Sequence, residues 1–247
     1  MIETKSISKY RDRFGVIVQR DGDGGDTCNR IGMLYGCLSI LQAPDDMNRP
    51  PEDGFCITEA RLAATLPTGR YRRHPDSSKW YSNINNVTRD QMSPMICAMV
   101  LNGTTTLLIW HFKARLKRGL LHFSTQDQVE GTPGKVRYKL PDLPSPMELA
   151  AFIRGFGKGL CLLPLLDRAL LYEAKKANAE NIREGQLILH LAVSKLYPTA
   201  ASKKALELVK TKVSELAIGI RNYHSEAPGH NGIEPLGEIT VAALEAL

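Results

Sequence analysis

A chain of 247 residues, 43% hydrophobic and 23% charged, has the composition of a globular protein, long enough to bury roughly three-quarters of its unfolded surface in one core. The net charge of +6 permits an anionic partner without demanding one. Its excess lies in scattered groups, Arg70-Tyr71-Arg72-Arg73, Lys113 to Arg118, Lys175-Lys176 and Lys203-Lys204, and not on one face interleaved with aromatics, so nucleic-acid binding is not expected.

Met1 to Tyr10 is too polar for a signal peptide, and no apolar run approaches the ~20 residues of a membrane span. Phe14 to Gln19 has β-branched and aromatic character without helical period and predicts a short strand. The acidic, glycine-rich run Asp21-Gly22-Asp23-Gly24-Gly25-Asp26 then leads into Thr27 to Leu41, where Ile31, Leu34, Tyr35, Leu38 and Leu41 form one apolar stripe and Asp26 is the natural N-cap. Ala43 to Thr58 and Leu66 to Val87 read as long polar loops. Loops of that length are functional when ordered, and the second carries Tyr71, Arg72, Arg73, His74, Asp76, Trp80 and Tyr81.

Thr88 to Leu101 opens with Thr88 and Gln91 at capping-box spacing and stops at Asn102-Gly103. Thr104 to about Leu121 packs back on it as a helical hairpin. After a further loop, Ser124 to Pro144, in which Val136 to Leu140 has some strand character, Ser145-Pro146-Met147-Glu148 opens a helix to about Cys161. Pro164 to Ala179, Gly185 to Leu196 and Ala200 to Ile220 complete the helices, the last pair broken at Tyr197-Pro198-Thr199. Asn222 to Gly237, with His224, Glu226, His230 and Glu234, reads as a solvated loop. The expected fold is mainly α, a single helical domain over 1–247 built of antiparallel hairpins with long polar loops on one face.

The five cysteines, Cys28, Cys37, Cys56, Cys97 and Cys161, are odd in number and lack C-x-x-C spacing, as buried free thiols in a reducing compartment would. The expected location is therefore cytoplasmic, with release as part of a phage particle the other setting left open. No cofactor is expected. The aspartates before Thr27 resemble the start of a calcium loop, but the position of its closing glutamate is Gly32. The histidines near 224 and 230 lack H-E-x-x-H spacing, no G-x-x-x-x-G-K-[ST] loop is present, and no serine or cysteine has a nucleophile context.

What stands out is a pair of polar segments, each running into a helix start, where free backbone N–H groups and the helix dipole favour polar or anionic ligands. Asp26 and Asp90 would supply the paired carboxylates of glycoside cleavage. Trp80 and Tyr81 would stack on a sugar ring, and Arg30, Arg73, His74, Asp76, Arg89 and Gln91 would bind its polar groups. The plainer alternative is that Asp26 caps one helix and Asp90 complements the dipole of another.

The aspartate-led helix, the long loop with its arginine, histidine, aspartate and tryptophan, and Thr88-Arg89-Asp90-Gln91 opening the next helix resemble the α/α-toroid carbohydrate-active proteins, the six-hairpin glycosidase class. The resemblance covers roughly residues 20 to 122, with only helix alternation thereafter. It implies a site at the mouth of a ring of helical hairpins, with Asp26, Arg30, Trp80, Arg89 and Asp90 there. The chain has room for fewer hairpins than a closed six-hairpin barrel, so an incomplete toroid is the form it implies. Two functional readings follow: a glycoside hydrolase acting on a glycan or other polar ligand, or a non-catalytic helical component of a phage particle or another assembly, with a protein partner or a second copy on its loops.

Overall fold

The computed structural model describes residues 4–18, 26–63, 69–79, 82, 87, 89–117, 146–156, 163–182, 185–225 and 232–247, with the backbone alone at 89, 90, 115–117 and 146–149. Among these the fold is mainly helical and has no strand. A 3₁₀ helix, Thr4–Tyr10, precedes α1 (Thr27–Leu41), α2 (Pro51–Ala63), α3 (Arg89–Leu101), α4 (Thr105–Lys117), α5 (Pro146–Gly155), α6 (Leu163–Lys176), α7 (Gln186–Lys195), α8 (Ala200–Lys210), α9 (Val213–His224) and α10 (Glu234–Ala246). No described helix is long and apolar enough to cross a membrane.

Consecutive helices pack in pairs, and α3 also meets α1, α5 and α7. The centre is α1, whose burial extends beyond the expected stripe to Thr27, Cys28, Arg30, Gly32, Met33, Gly36 and Cys37. A helix covered on most sides belongs in the interior, and here α2, α3, α7 and α10 supply the cover. Two glycines set the approach: a Cβ on Gly32 would fall on the backbone of Pro94 and Met95 in α3, and one on Gly36 would meet Leu189 of α7. The resulting core is one cluster that takes in Ile7, Val16 and Ile17 at one end of the chain and Leu236, Ile239 and Leu244 at the other.

Several local expectations are corrected. Phe14 to Val18 is not a strand; it makes one isolated bridge, Arg11 to Ile17. The Asp12 carboxylate accepts the Phe14 and Val16 N–H groups, at 2.9 and 3.2 Å, and Gly15 turns the chain at φ +71°, so backbone donors a strand would use are satisfied locally. The second expected strand, Val136 to Leu140, lies outside the described residues. Ala43 to Thr58 is not wholly irregular, because α2 begins at Pro51 with Glu52 and Asp53 in its first turn. Ala200 to Ile220 is two helices, separated at Thr211-Lys212. The Lys212 ammonium there donates to the carbonyls of Ala174, Lys175 and Ala177 at 3.2, 3.0 and 2.8 Å, closing the C-terminal end of α6. Asn222 to Gly237 is partly helical at both ends, and His224 is buried, not solvated.

The N-terminal segment is fixed by a buried charge network. Arg11 donates to both oxygens of Asp46, at 2.7 and 2.6 Å, and to the Tyr35 hydroxyl at 3.2 Å. The Asp46 side chain is fully buried. Asp45 accepts from Arg49 Nε and Nη2 at 2.9 and 2.7 Å, and Tyr35 donates to it at 3.3 Å.

Candidate functional site

The starts of α1 and α3 are joined by one side chain. Gln91, in the first turn of α3, donates from Nε2 to Asp26 Oδ1 at 2.8 Å and accepts the Asn29 backbone N–H on Oε1 at 3.2 Å. Asn29 is the third residue of α1, so Gln91 satisfies a backbone donor that an N-cap side chain would otherwise take. This corrects one sequence expectation: Asp26 sits at the N-cap position but makes no capping bond. The capping box expected between Thr88 and Gln91 falls on Thr88, outside the described residues.

Released from capping, the Asp26 carboxylate is half-exposed and its second oxygen lies 3.9 Å from the guanidinium of buried Arg30. Arg72 and Arg73 pass close by. The Cys28 thiol donates to the Arg72 carbonyl at 3.2 Å. Burial pushes that thiol up to about 12, with the positive charge of Arg73 opposing and the negative charges of Asp26 and Glu59 adding to the rise. Asp26, Arg30, Arg73 and Gln91 are thus neighbours around the first turn of α1. The backbone of Arg89 and Asp90 opens α3 beside them, while their side chains, and all of Trp80 and Tyr81, lie outside what the structure describes.

Two residues missed in the sequence belong to this wall. Glu59 of α2 is buried, its carboxyl pushed up by desolvation, and it faces Tyr71, which burial and the Glu59 charge push well above the usual phenol range. The signal for Glu59 was partial: Gly54, Phe55, Thr58, Glu59 and Leu62 are the buried positions of α2 at helical spacing, but Thr58 and Glu59 are polar and break the apolar stripe. A buried carboxyl whose neutral form is favoured is the usual state of a general acid.

His74 and Asp76 are placed elsewhere. They line a cavity of about 470 Å³ with Asp12, Arg13, Phe14, Val18 and Lys79. The Asp76 N–H donates to His74 Nδ1 at 3.0 Å, which puts the ring proton on Nε2, donating to Asp12 Oδ2 at 2.8 Å. Phe14 packs edge-on against the ring at 5.6 Å, and the Ser82 hydroxyl donates to the His74 carbonyl. Asp76 accepts the Ser78 N–H and hydroxyl at 3.0 and 2.6 Å. Those bonds, with Arg13 at 3.2 Å, hold its carboxyl below the usual range. Both residues organise the 71–79 loop, and both His74 ring nitrogens are engaged.

Among the described residues, no group of three or more His, Cys, Asp or Glu side chains is arranged to hold a metal ion. Compared with protein-family profiles, curated proteins and solved structures, the chain matches none of them.

Proposed function

We propose that the protein is a carbohydrate-active enzyme, a glycoside hydrolase working at the junction of the α1 and α3 starts. The observation that carries this reading is the Gln91 link, which holds the Asp26 carboxylate half-exposed next to Arg30 and sets the Asp90 backbone one residue away from the same contact. Asp26, accepting from an amide and lying beside a guanidinium, suits the base or nucleophile, and Asp90 takes the acid role, with Arg73 for polar groups of the sugar. Paired carboxylates are what most glycosidic cleavage uses.

The test is hydrolysis of an oligosaccharide panel by the parent chain, Asp26→Asn and Asp90→Asn. Each substitution is expected to lower kcat by roughly 10²–10⁴-fold on any glycan the parent cleaves, with an unchanged melting temperature. Full activity in both variants, or no cleavage of any glycan by the parent, would overturn the assignment.

A second reading, a non-catalytic helical component, draws on a different observation. His74 and Asp76, two of the expected ligand-binding residues, are committed to loop structure, while Leu196 and Tyr197 project 52% and 43% exposed from the end of α7. Sedimentation and cross-linking separate the two: a chain that stays monomeric and captures no partner excludes this second reading.

A further inference from the structure

Arg154, next to last in α5, is a buried cation whose hydrogen bonds go unmade. It is 4% exposed, and its Nε, Nη1 and Nη2 are all buried with no hydrogen-bond partner among the described residues. Together those atoms carry five N–H donors. Asp167 of α6 has the opposite deficit: it is 8% exposed, and its Oδ1 is buried with no donor among the described residues. Burial disfavours the charge on Arg154, while the charges of Tyr197 and Asp167 oppose that effect. The carboxylate is therefore near enough to be felt, yet the two groups do not bond to each other.

The packing of α5, α6 and α7 on one another fixes this arrangement, and leaving both groups unanswered is costly. Tyr197 does not answer Arg154. Its ring centroid lies 3.5 Å from the guanidinium carbon, and stacking takes the face of a guanidinium while its N–H groups point outward in the plane. The ring is itself 43% exposed, where the chain leaves α7, and its backbone N–H is tied to the Ser194 carbonyl at 3.0 Å. Rotation about the side-chain bonds of Tyr197 would uncover the guanidinium without moving a helix.

We infer that Arg154 and Asp167 form a binding site for bicarbonate, with Tyr197 as its cover. The ligand has to bring acceptors for a guanidinium fork and one donor for a carboxylate oxygen. Bicarbonate has both: two oxygens in one plane accept from the fork, as a carboxylate does, and its O–H donates to Asp167 Oδ1. Formate and nitrate share the planar oxygens but have no proton to give, so Asp167 would repel them. Hydrogen phosphate has the proton, but it carries a second negative charge into a buried place that already holds a carboxylate.

The experiment is sealed-cell calorimetry of the whole chain with sodium bicarbonate, at matched ionic strength and in slightly alkaline buffer, where bicarbonate is the main species. Sodium formate, nitrate and phosphate are titrated in parallel. Saturable bicarbonate binding is expected, about tenfold or more tighter than any of the three, as one more bond to a charged group implies. This comparison needs no variant. Asp167→Asn, whose amide donates where the carboxylate accepts, should weaken bicarbonate and strengthen formate, erasing the preference. Arg154→Gln should abolish binding of both, and Tyr197→Ala should speed association. Absence of saturable bicarbonate binding, formate or phosphate binding as tightly as bicarbonate, a preference that survives Asp167→Asn, or association no faster in Tyr197→Ala would each overturn the inference.

Discussion

Two buried histidines give single residues a measurable voice in stability. His190 of α7 shares its Nε2 with the Ser93 hydroxyl of α3 at 3.0 Å, its Nδ1 has no partner among the described residues, and burial lowers it from 6.5 to about 4. His224 accepts the Ile233 N–H on Nδ1 at 3.3 Å and is lowered to about 4 by burial and then by the charge of Arg30. The sign follows directly. Above pH 6.5 neither the folded nor the unfolded imidazole binds a proton, so these groups add no pH dependence. Between 6.5 and 4 the unfolded chain takes up protons that the folded chain refuses, and stability falls as pH falls. Each histidine can contribute up to about 3 kcal/mol to that loss. Glu173, raised to about 7, acts in the opposite sense, losing stability as pH rises toward 7, so the histidine contribution is best read as a difference between variants. We predict that replacing both partners of one bond with apolar groups, His190→Met with Ser93→Ala, lowers the loss between pH 6.5 and 4 in urea unfolding by up to about 3 kcal/mol relative to the parent chain. An unchanged slope would mean that His190 is not held neutral in the folded chain.

Between elements, the closest fit is the crossing of α1 and α3 at Gly32. A methyl group there would overlap backbone atoms of Pro94 and Met95, which cannot turn aside as a side chain can. Alanine would gain about 1 kcal/mol in helix propensity, yet forcing the two helices apart should cost more, so Gly32→Ala is expected to destabilise by roughly 1–3 kcal/mol net. A neutral or raised melting temperature would show that the helices have room to separate. Helix boundaries of this kind were legible where composition punctuates the chain: Asn102-Gly103 ends α3, and Thr199 caps α8 in a reciprocal bond with Ser202. Elsewhere the pattern concealed them. In α2 the inward row includes Thr58 and Glu59, so the apolar stripe looked broken. Val209, Val213, Leu216 and Ile220 keep helical spacing straight through Thr211-Lys212, and the break between α8 and α9 accompanies the docking of Lys212 on the end of α6, a tertiary event. The candidate site was half legible for the same reason. Both helix starts could be read, but the bond from Gln91 to Asp26 joins residues 65 apart, and no local rule predicts that one helix will cap another.

At the scale of the molecule, the buried face of α1, from Arg30 to Leu38, cannot be reached without dismantling its neighbours. It is covered by α2, α3, α7 and α10, and the N-terminal 3₁₀ helix packs on α10, so segments from both ends of the chain close over the same helix. The cysteines report on this enclosure. Cys28 and Cys37 on α1 and Cys97 on α3 are buried, whereas Cys56 on α2 is partly exposed. Cys37 lies 3.9 Å from the Thr240 hydroxyl of α10, and burial pushes its thiol up to about 12. Only the thiolate attacks an alkylating reagent, so a buried cysteine reacts only when the structure around it opens. If the enclosure opens as a unit, with a stability typical of a domain, the open fraction is about 10⁻³ or less. Of the four cysteines among the described residues, N-ethylmaleimide labelling followed by peptide mass spectrometry should therefore modify Cys56 first. Cys28, Cys37 and Cys97 should follow together, about 10³-fold slower or more, and accelerate in parallel as urea is added. Earlier labelling of Cys28 alone would mean that the Gln91 link opens without the rest of the core. Labelling of Cys37 as fast as Cys56 would mean that α10 leaves α1 independently, and the cooperative enclosure argued here would be wrong.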